Sequence, residues 1–324
     1  MQDVQNSVDV SYEALSLEEW KQAIEDLAEE HGAYQPLDDT HLAAFVEAGK
    51  TLLVTFENID SIRETPGNAR PLGHELVLKA GWSHLAILSD SESWFRNPRI
   101  YGYFDRLIDD GFFEDFDRVV FYGAGACGYA AAAFSVAAPG ATVLAVQPHA
   151  TMDPRMTEWD PRYPQARRLN FTDRFGYAPD MLDAADRGFV LYDPYEDVDA
   201  MHAALFERNN VTRLRLPFQG DNLEKSLWDM GLLLQLIEHA GEDTLNSVSF
   251  AQAYRTRRNN VAYLRRLLAH LDARDRRYLS YVLCRYVISD RKAPHFQRRL
   301  RTLRTQAAQG AFRAPPARQA AAAD

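Results

Sequence analysis

Residues 119–131, which read VVFYGAGACGYAA, contain the sharpest change of pattern in the sequence. An apolar run ends at Tyr122 and is followed by three closely spaced glycines, Gly123, Gly125 and Gly128, and then by small and aromatic residues that suit a helix. Glycine adopts backbone conformations that other residues avoid, so glycines between a strand and a helix indicate a tight turn. We predict a strand, a sharp turn and a helix here.

Similar apolar runs recur along the chain and alternate with helical patterns. The predicted strands are residues 51–56, 83–88, 118–122, 142–146, 188–192 and 212–216, and the helices between them are 100–110, 129–137, 200–206 and 223–239. Buried parallel strands read as continuous apolar runs, and their alternation with helices is typical of βαβ units. We therefore expect an α/β fold with a doubly wound, mostly parallel sheet and a C-terminal helical appendage.

The two ends of the chain have other patterns. Ser16 and Glu19 form a capping box before an amphipathic helix, and residues 40–47 suggest a second short helix. After residue 306 the composition turns to Ala, Gln, Pro and Arg, which is typical of disorder. The expected parts are an N-terminal helical lead-in (1–50), the sheet domain (51–244), a basic helical appendage (245–306) and a disordered tail (307–324).

The net charge of −10 is unevenly distributed. Residues 245–324 contain 17 Lys and Arg and four Asp, a balance of +13, so that residues 1–244 carry −23. Two interpretations stay open: the basic helices neutralise the acidic body, or they offer a surface to a protein or anionic partner such as nucleic acid. No recognised nucleic-acid module accompanies them.

Targeting and redox signals are sparse. The first residues have no basic or apolar signal region, and no stretch approaches the roughly 18 apolar residues of a membrane span. Cys127 and Cys284 are the only cysteines and are far apart, which indicates neither a disulfide framework nor a thiolate metal site. We expect a cytoplasmic protein with no membrane contact, no metal and no cofactor.

The glycine turn resembles the nucleophile elbow of α/β-hydrolases, in particular an elbow reading Tyr-Gly-Ser-Ser-Met-Gly-Gly-Tyr-Ala-Ala. Tyr122, Gly123 and residues 128–131 match this pattern in register. The resemblance implies an α/β-hydrolase-like fold and places the nucleophilic serine of the family at Gly125, which has no side chain. A shift of the register by two residues would make Cys127 the nucleophile, but it would put Tyr129 where the turn requires a small residue.

The resemblance also implies positions for the other two members of a catalytic triad. The acid falls on Asp193, after the strand at 188–192, and the base falls on Asp221, after the last strand. A glycine cannot attack, and a carboxylate cannot replace the neutral imidazole that accepts the proton of serine. We therefore expect Gly125, Asp193 and Asp221 to form a degenerate triad.

Two hypotheses about the function of the site follow. In the first, the chain binds or scaffolds without turnover, and the unpaired N–H groups of Ala126, Cys127 and Gly128 at the start of the elbow helix bind a small anionic or acyl ligand. In the second, Cys127 serves a rewired acyl hydrolase whose thiolate is favoured by the helix dipole, with a histidine supplied from elsewhere. His149 and His202 follow predicted strands and are the available imidazoles.

Two further alternatives fit the residues less well. Gly123, Gly125 and Gly128 match the G-x-G-x-x-G fingerprint of dinucleotide-binding domains, but the next strand ends in Gln147-Pro148-His149 without the acidic residue that binds the ribose. A resemblance to phosphoadenosine phosphosulfate reductases would require a Cys-Gly-x-His segment and a Ser-Gly-Gly loop. Cys127-Gly128 is followed by Tyr129, and Cys284 by Arg285. The aromatic residues Trp94, Phe95, Tyr101 and Tyr103 are expected to pack in the core.

Overall fold

The computed structural model describes residues 2–64 and 68–316. The chain divides into two compact units, Met1–Arg255 and Thr256–Asp324. Residues 317–324 of the expected disordered tail lie outside the described residues, and residues 309–316 follow the last helix as turn and irregular backbone.

The first unit contains an eight-stranded sheet. Its strands are β1 (Gly32–Pro36), β2 (His41–Val46), β3 (Thr51–Asn58), β4 (Ser83–Ser89), β5 (Arg118–Ala124), β6 (Thr142–Val146), β7 (Arg187–Tyr192) and β8 (Val211–Arg215). The strand order is β1-β2-β4-β3-β5-β6-β7-β8, with β2 antiparallel to both of its neighbours and all other pairs parallel. This order, with a strand-turn-helix elbow after β5, is an α/β-hydrolase fold and confirms the predicted fold class.

Helices connect these strands and follow the last one. The α-helices of the described residues are α1 (Gln2–Val8), α2 (Leu17–His31), α3 (Ile59–Glu64), α4 (Leu72–Ala80), α5 (Pro98–Asp109), α6 (Ala126–Phe134), α7 (Pro154–Thr157), α8 (Ala178–Met181), α9 (Asp197–Leu205), α10 (Leu223–Asp229), α11 (Leu233–Gly241), α12 (Ser247–Ala253), α13 (Val261–Ala273), α14 (Arg277–Asp290) and α15 (Pro294–Ala308). Short 3-10 helices lie at Phe112–Asp115, Ser135–Ala137, Ala166–Arg168, Leu182–Ala184 and Tyr254–Asn259.

The central strands alternate between two hydrophobic layers. Along β5, Phe121 belongs to the layer that includes α5 and α6, whereas Val120 and Tyr122 belong to the layer that includes α4 and α11. Since successive side chains of a strand point to opposite faces, continuous apolar strands require helices on both sides. The sheet is therefore fixed from both faces, and the carboxyl ends of β3, β5 and β6 meet at one edge.

The expected helix at residues 40–47 is wrong, and residues 1–50 are not a purely helical lead-in. Residues 41–46 form β2, and residues 32–36 form the edge strand β1. The run His-Leu-Ala-Ala-Phe-Val is buried along almost all of its length, so it lacks the alternation that distinguishes a half-buried strand. Its alanines and the preceding threonine are typical of a capped helix. The segment is a strand because it pairs with β4.

The second unit contains three longer helices, α13, α14 and α15. Within it, α14 packs against both α13 and α15. Asp272 on α13 joins them, because it accepts hydrogen bonds from Ser280 on α14 at 2.7 Å and from Arg299 on α15 at 2.9 Å. The helical character expected of this region is thus observed.

Candidate functional site

The turn between β5 and α6 has the geometry of a nucleophile elbow. Gly125 is its crest, with φ 58° and ψ −120°, a conformation that an L-residue adopts only under strain. A Cβ on Gly123 would lie 2.2 Å from the carbonyl oxygen of Cys127, so the turn has no room for a side chain there. The backbone therefore has the form of an elbow, while Gly125, the position that projects from it, carries no reactive atom.

The crest faces an imidazole. The Cε1 atom of His149, which follows β6, lies 4.0 Å from the position that a Cβ on Gly125 would occupy. The indole of Trp94 packs against this ring, with centroids 4.7 Å apart, and both side chains are buried. The expectation that Trp94 packs in the core agrees with this position.

Hydrogen bonds determine which nitrogen of His149 carries a proton. Its Nε2 lies 3.3 Å from a guanidinium nitrogen of Arg162, and because arginine only donates, Nε2 accepts. The proton of the neutral ring is then on Nδ1, which is buried beside the Gly125 backbone and makes no hydrogen bond of normal geometry to any described residue. Burial, together with the neighbouring His202 and Arg162, lowers the pKa of His149 to about 3. Nε2, the nitrogen whose lone pair could accept a proton, is therefore engaged by the guanidinium of Arg162.

His149 belongs to a buried cluster with Asp160 and His202. His202 accepts the backbone N–H of Ala150 on Nδ1 at 3.1 Å and donates from Nε2 to Asp160 at 3.0 Å. Burial alone would raise the pKa of Asp160, but hydrogen bonds from His202 and Arg162 hold it below its usual value. The cluster orients the His149 ring.

The same three residues have the composition of a metal site. One ligand atom from each lies within 4.8 Å of the others. Arg162, however, places its guanidinium 2.9 Å from Asp160 and against His149, and the Nε2 of His202 carries a proton. A bound cation would have to displace arginine, so these residues do not fit a metal ion.

Asp193, the expected acid, lies buried after β7 and binds backbone. Its carboxylate accepts the N–H groups of Gln219 at 2.6 Å, Gly220 at 2.9 Å and Tyr195 at 2.9 Å. The loop after β8 is where an α/β-hydrolase has its catalytic histidine. Here this loop instead donates two backbone N–H groups to the carboxylate of Asp193. Asp221, the expected position of the base, is exposed on the same loop. Neither carboxylate is hydrogen-bonded to an imidazole in the described structure.

Cys127 lies in the first turn of α6 and lines a cavity of about 640 Å³ beside the elbow. We call this space the elbow cavity. Its walls include Phe56, Glu57, Asn58, Arg70, Leu72, Ala124, Cys127, Asn222, Glu224, Trp228 and Leu233. Burial raises the pKa of the Cys127 thiol, and Glu224 and Glu57 add to the rise. The helix dipole does not prevail over these effects, so the thiol stays protonated.

Two carboxyl groups line the elbow cavity and were not among the expected site residues. Glu57, at the end of β3, accepts hydrogen bonds from the Thr55 hydroxyl at 2.6 Å and the Leu72 N–H at 2.9 Å. Burial raises its pKa to about 7, and Glu224 contributes to the rise. Glu224, on α10, accepts the phenolic hydroxyl of Tyr122 at 2.5 Å, and burial raises its pKa also.

The sequence contains a signal for one of these two carboxyl groups, that of Glu57. Glu57 is the first charged residue after the apolar run of β3, and the carboxyl ends of parallel strands are where ligands bind in α/β sheets. Glu224 carried no such signal, because it lies in the first turn of a short helix, where acidic residues are common.

Comparisons with known proteins give no family. No protein-family model matches the chain, and no curated protein matches it.

Among the described residues, none of the helices is both long and apolar enough to span a bilayer.

Several solved structures are similar to the chain at low identity. The capsule O-acetyltransferase of Neisseria meningitidis serogroup A is 12% identical over 61% of this chain and 93% of that chain, with a TM-score of 0.38. Carboxyl esterase 2 of Tuber melanosporum is 14% identical over 63% and 81%, with a TM-score of 0.42. Est1E of Butyrivibrio proteoclasticus is 11% identical over 63% and 97%, with a TM-score of 0.37. These distant likenesses assign the chain no activity.

Proposed function

We propose that this protein binds a small molecule in the elbow cavity and does not hydrolyse esters through its elbow. The observation that carries the proposal is Gly125, which holds the strained backbone of a nucleophile without offering an attacking atom. Catalysis by a nucleophile needs an activated atom and a base oriented toward it. At this elbow, the crest is bare and the acid position, Asp193, is bonded to loop amides.

The cavity itself supports binding. A volume of about 640 Å³ is in the range of small-molecule sites, which are concave and mostly apolar with a few convergent polar groups. Cys127 belongs both to the cavity wall and to the first turn of α6, whose N–H groups at Ala126, Cys127 and Gly128 begin a helix of nine residues. A carbonyl or acyl oxygen of the ligand is suited to these donors.

A thiol-dependent hydrolase is the competing function, and the surroundings of Cys127 disfavour it. A reactive cysteine needs an electropositive environment that lowers its pKa. Cys127 has the opposite, since burial and the carboxyl groups of Glu224 and Glu57 raise its pKa. The nearby imidazole, His149, faces Gly125.

The test measures turnover and labelling together. The purified chain is incubated with p-nitrophenyl acetate and butyrate, with an alkyl fluorophosphonate and with iodoacetamide. We expect ester cleavage no faster than in a Gly125→Ala variant, no fluorophosphonate adduct, and slow alkylation of Cys127. Turnover that disappears in Cys127→Ala but persists in the control Cys284→Ala would contradict the proposal.

A further inference from the structure

We propose that the elbow cavity recognises a neutral, polyhydroxylated ligand, namely a monosaccharide or short oligosaccharide, with Trp228 stacking on it and Glu57, Glu224 and Arg70 binding its hydroxyl groups. This inference rests on the proposed binding function and names its ligand class. These four residues come from three separate segments of the chain, and all of them line the elbow cavity.

The first observation is an unused donor. The Arg70 side chain is only 5% exposed, and its guanidinium binds Glu75 and Asp9 and the Val8 carbonyl through its terminal nitrogens. Its Nε–H is buried and has no hydrogen-bond partner among the described residues, although Arg70 lines the cavity. A buried donor without a partner is costly unless a ligand or water completes it.

The second observation is the pair of carboxyl groups, Glu57 and Glu224. Both line the cavity, each already accepts a hydrogen bond from the protein, and burial raises the pKa of each. A protonated carboxyl group both donates and accepts hydrogen bonds, as a hydroxyl group does, and the pKa of about 7 gives Glu57 this capacity near neutral pH. Such groups suit ligand hydroxyls.

The charged side chains of the cavity wall are of both signs. Arg70 and Lys225 disfavour an ammonium group placed beside them, and Glu57 and Glu224 disfavour an anion placed beside them when they are ionised. A neutral ligand avoids both repulsions. The indole of Trp228 adds an apolar face, and an aromatic ring with several hydrogen-bonding side chains around it matches a sugar, which has one apolar face and a rim of hydroxyl groups.

The test uses defined probes on the full chain. Glucose, galactose, mannose, N-acetylglucosamine, maltose, lactose and cellobiose are titrated by saturation-transfer NMR and calorimetry, beside choline and agmatine as cations and phosphate and acetate as anions. We expect at least one sugar to bind. Trp228→Ala is expected to weaken it by about tenfold or more, as for an aromatic contact at the centre of an interface. Trp159→Ala, which removes an indole outside the cavity wall, is expected to leave the affinity unchanged.

A second variant guards against a folding defect in Trp228→Ala. Glu224→Gln keeps the shape of the side chain and the acceptor for Tyr122, and it is compared with Glu242→Gln, which changes an exposed residue directly after α11. Weaker sugar binding in Glu224→Gln alone supports the inference. Binding of only cations or anions, binding of none of the probes, or sugar affinity unchanged in both cavity variants overturns it. Ester turnover through the elbow would instead overturn the proposed function, so the two failures are distinct.

Discussion

At the scale of single residues, Gly125 determines what the elbow can do. Its φ of 58° belongs to the left-handed region, and a Cβ added there would meet no atom closer than 4.0 Å. The energy of a substitution at this position is therefore backbone strain alone, without a clash.

We expect Gly125→Ala to lower the free energy of unfolding by about 1–3 kcal/mol, the usual magnitude for a strained backbone position. The control is Gly102→Ala in the middle of α5, where a Cβ has open space and helical backbone, and where alanine stabilises by about 0.5–1 kcal/mol. Urea denaturation of both variants measures the difference. A Gly125→Ala protein as stable as the parent would mean that the turn relaxes easily and is not a preserved elbow.

Cys127 provides a second prediction at this scale. Because burial raises the pKa of its thiol, iodoacetamide at pH 8 should modify Cys127 in the folded protein at least about tenfold more slowly than in urea-unfolded protein, where the thiol has its ordinary pKa. Mass spectrometry of the alkylated peptide follows the rate, with the buried Cys284 as the internal comparison. Rapid labelling of Cys127 alone would instead indicate an activated nucleophile.

At the scale of elements, Asp193 joins β7 to the loop after β8. It accepts three backbone N–H groups within a fully buried position. Asp193→Asn puts an amide NH₂ against at least one of these donors, and we expect a loss of about 1–3 kcal/mol of stability. Faster hydrogen exchange at the Gln219 and Gly220 amides should accompany it. Asp221→Asn, on the exposed part of the same loop, should change neither quantity. An effect confined to ligand binding, without loss of stability, would assign Asp193 a role in the site.

Glu57 couples β3 to the start of α4 and gives a pH prediction. Its pKa is about 7 in the folded protein and near 4.5 in an unfolded chain, so the folded state holds the extra proton. The stabilisation from this proton is complete below about pH 4.5 and is lost as the pH rises through about 7. His74 and His84, whose pKa values are lowered by burial, act in the opposite direction on acidification.

The contribution of Glu57 to the pH dependence is therefore measured as the difference in melting temperature between a Glu57 variant and the parent protein. The melting temperature of Glu57→Gln minus that of the parent should rise between about pH 4.5 and pH 7 and then level off. Glu29→Gln, which changes an exposed glutamate of α2, is the control against which the rise is measured. A difference for Glu57→Gln that does not change over this range would show that folding does not raise the pKa of Glu57.

The sequence predicts elements well where the pattern is long or strongly marked. All six apolar runs expected to be strands are strands, and the strand-turn-helix around Gly125 has the expected form. Residues 41–46 were misassigned because burial on both faces removes the alternation of a strand. His149 was recognised only as an available imidazole, since its position beside Gly125 depends on the pairing of β5 with β6, a long-range contact that a local pattern does not contain.

At the scale of the whole molecule, the sheet explains why the site lies where it does. The carboxyl ends of β3, β5 and β6 bring Glu57, the elbow and His149 to one edge, which is where crevices form in open α/β sheets. The two sides of the elbow then differ: His149 lies beside the crest and packs against Trp94, whereas the elbow cavity lies beside Cys127. The α/β-hydrolase fold thus has its cavity beside Cys127 and not over the Gly125 crest.

The second unit carries the excess of basic residues, and its α15 presents Arg301 and Arg304 exposed, one turn apart. If this surface serves an anionic partner, the chain should bind a fluorescein-labelled single-stranded oligonucleotide with an affinity that falls with salt. Each phosphate contact contributes about 0.7 to the slope of log K against log salt for a single strand, so Arg301→Gln with Arg304→Gln should reduce the slope by about 1.4. The matched control, Arg99→Gln with Arg215→Gln, removes two exposed charges from the first unit and should leave the slope unchanged. Fluorescence anisotropy measures both. Equal slopes for the two double variants, or no binding at low salt, would favour the alternative in which the basic helices serve to balance the acidic body.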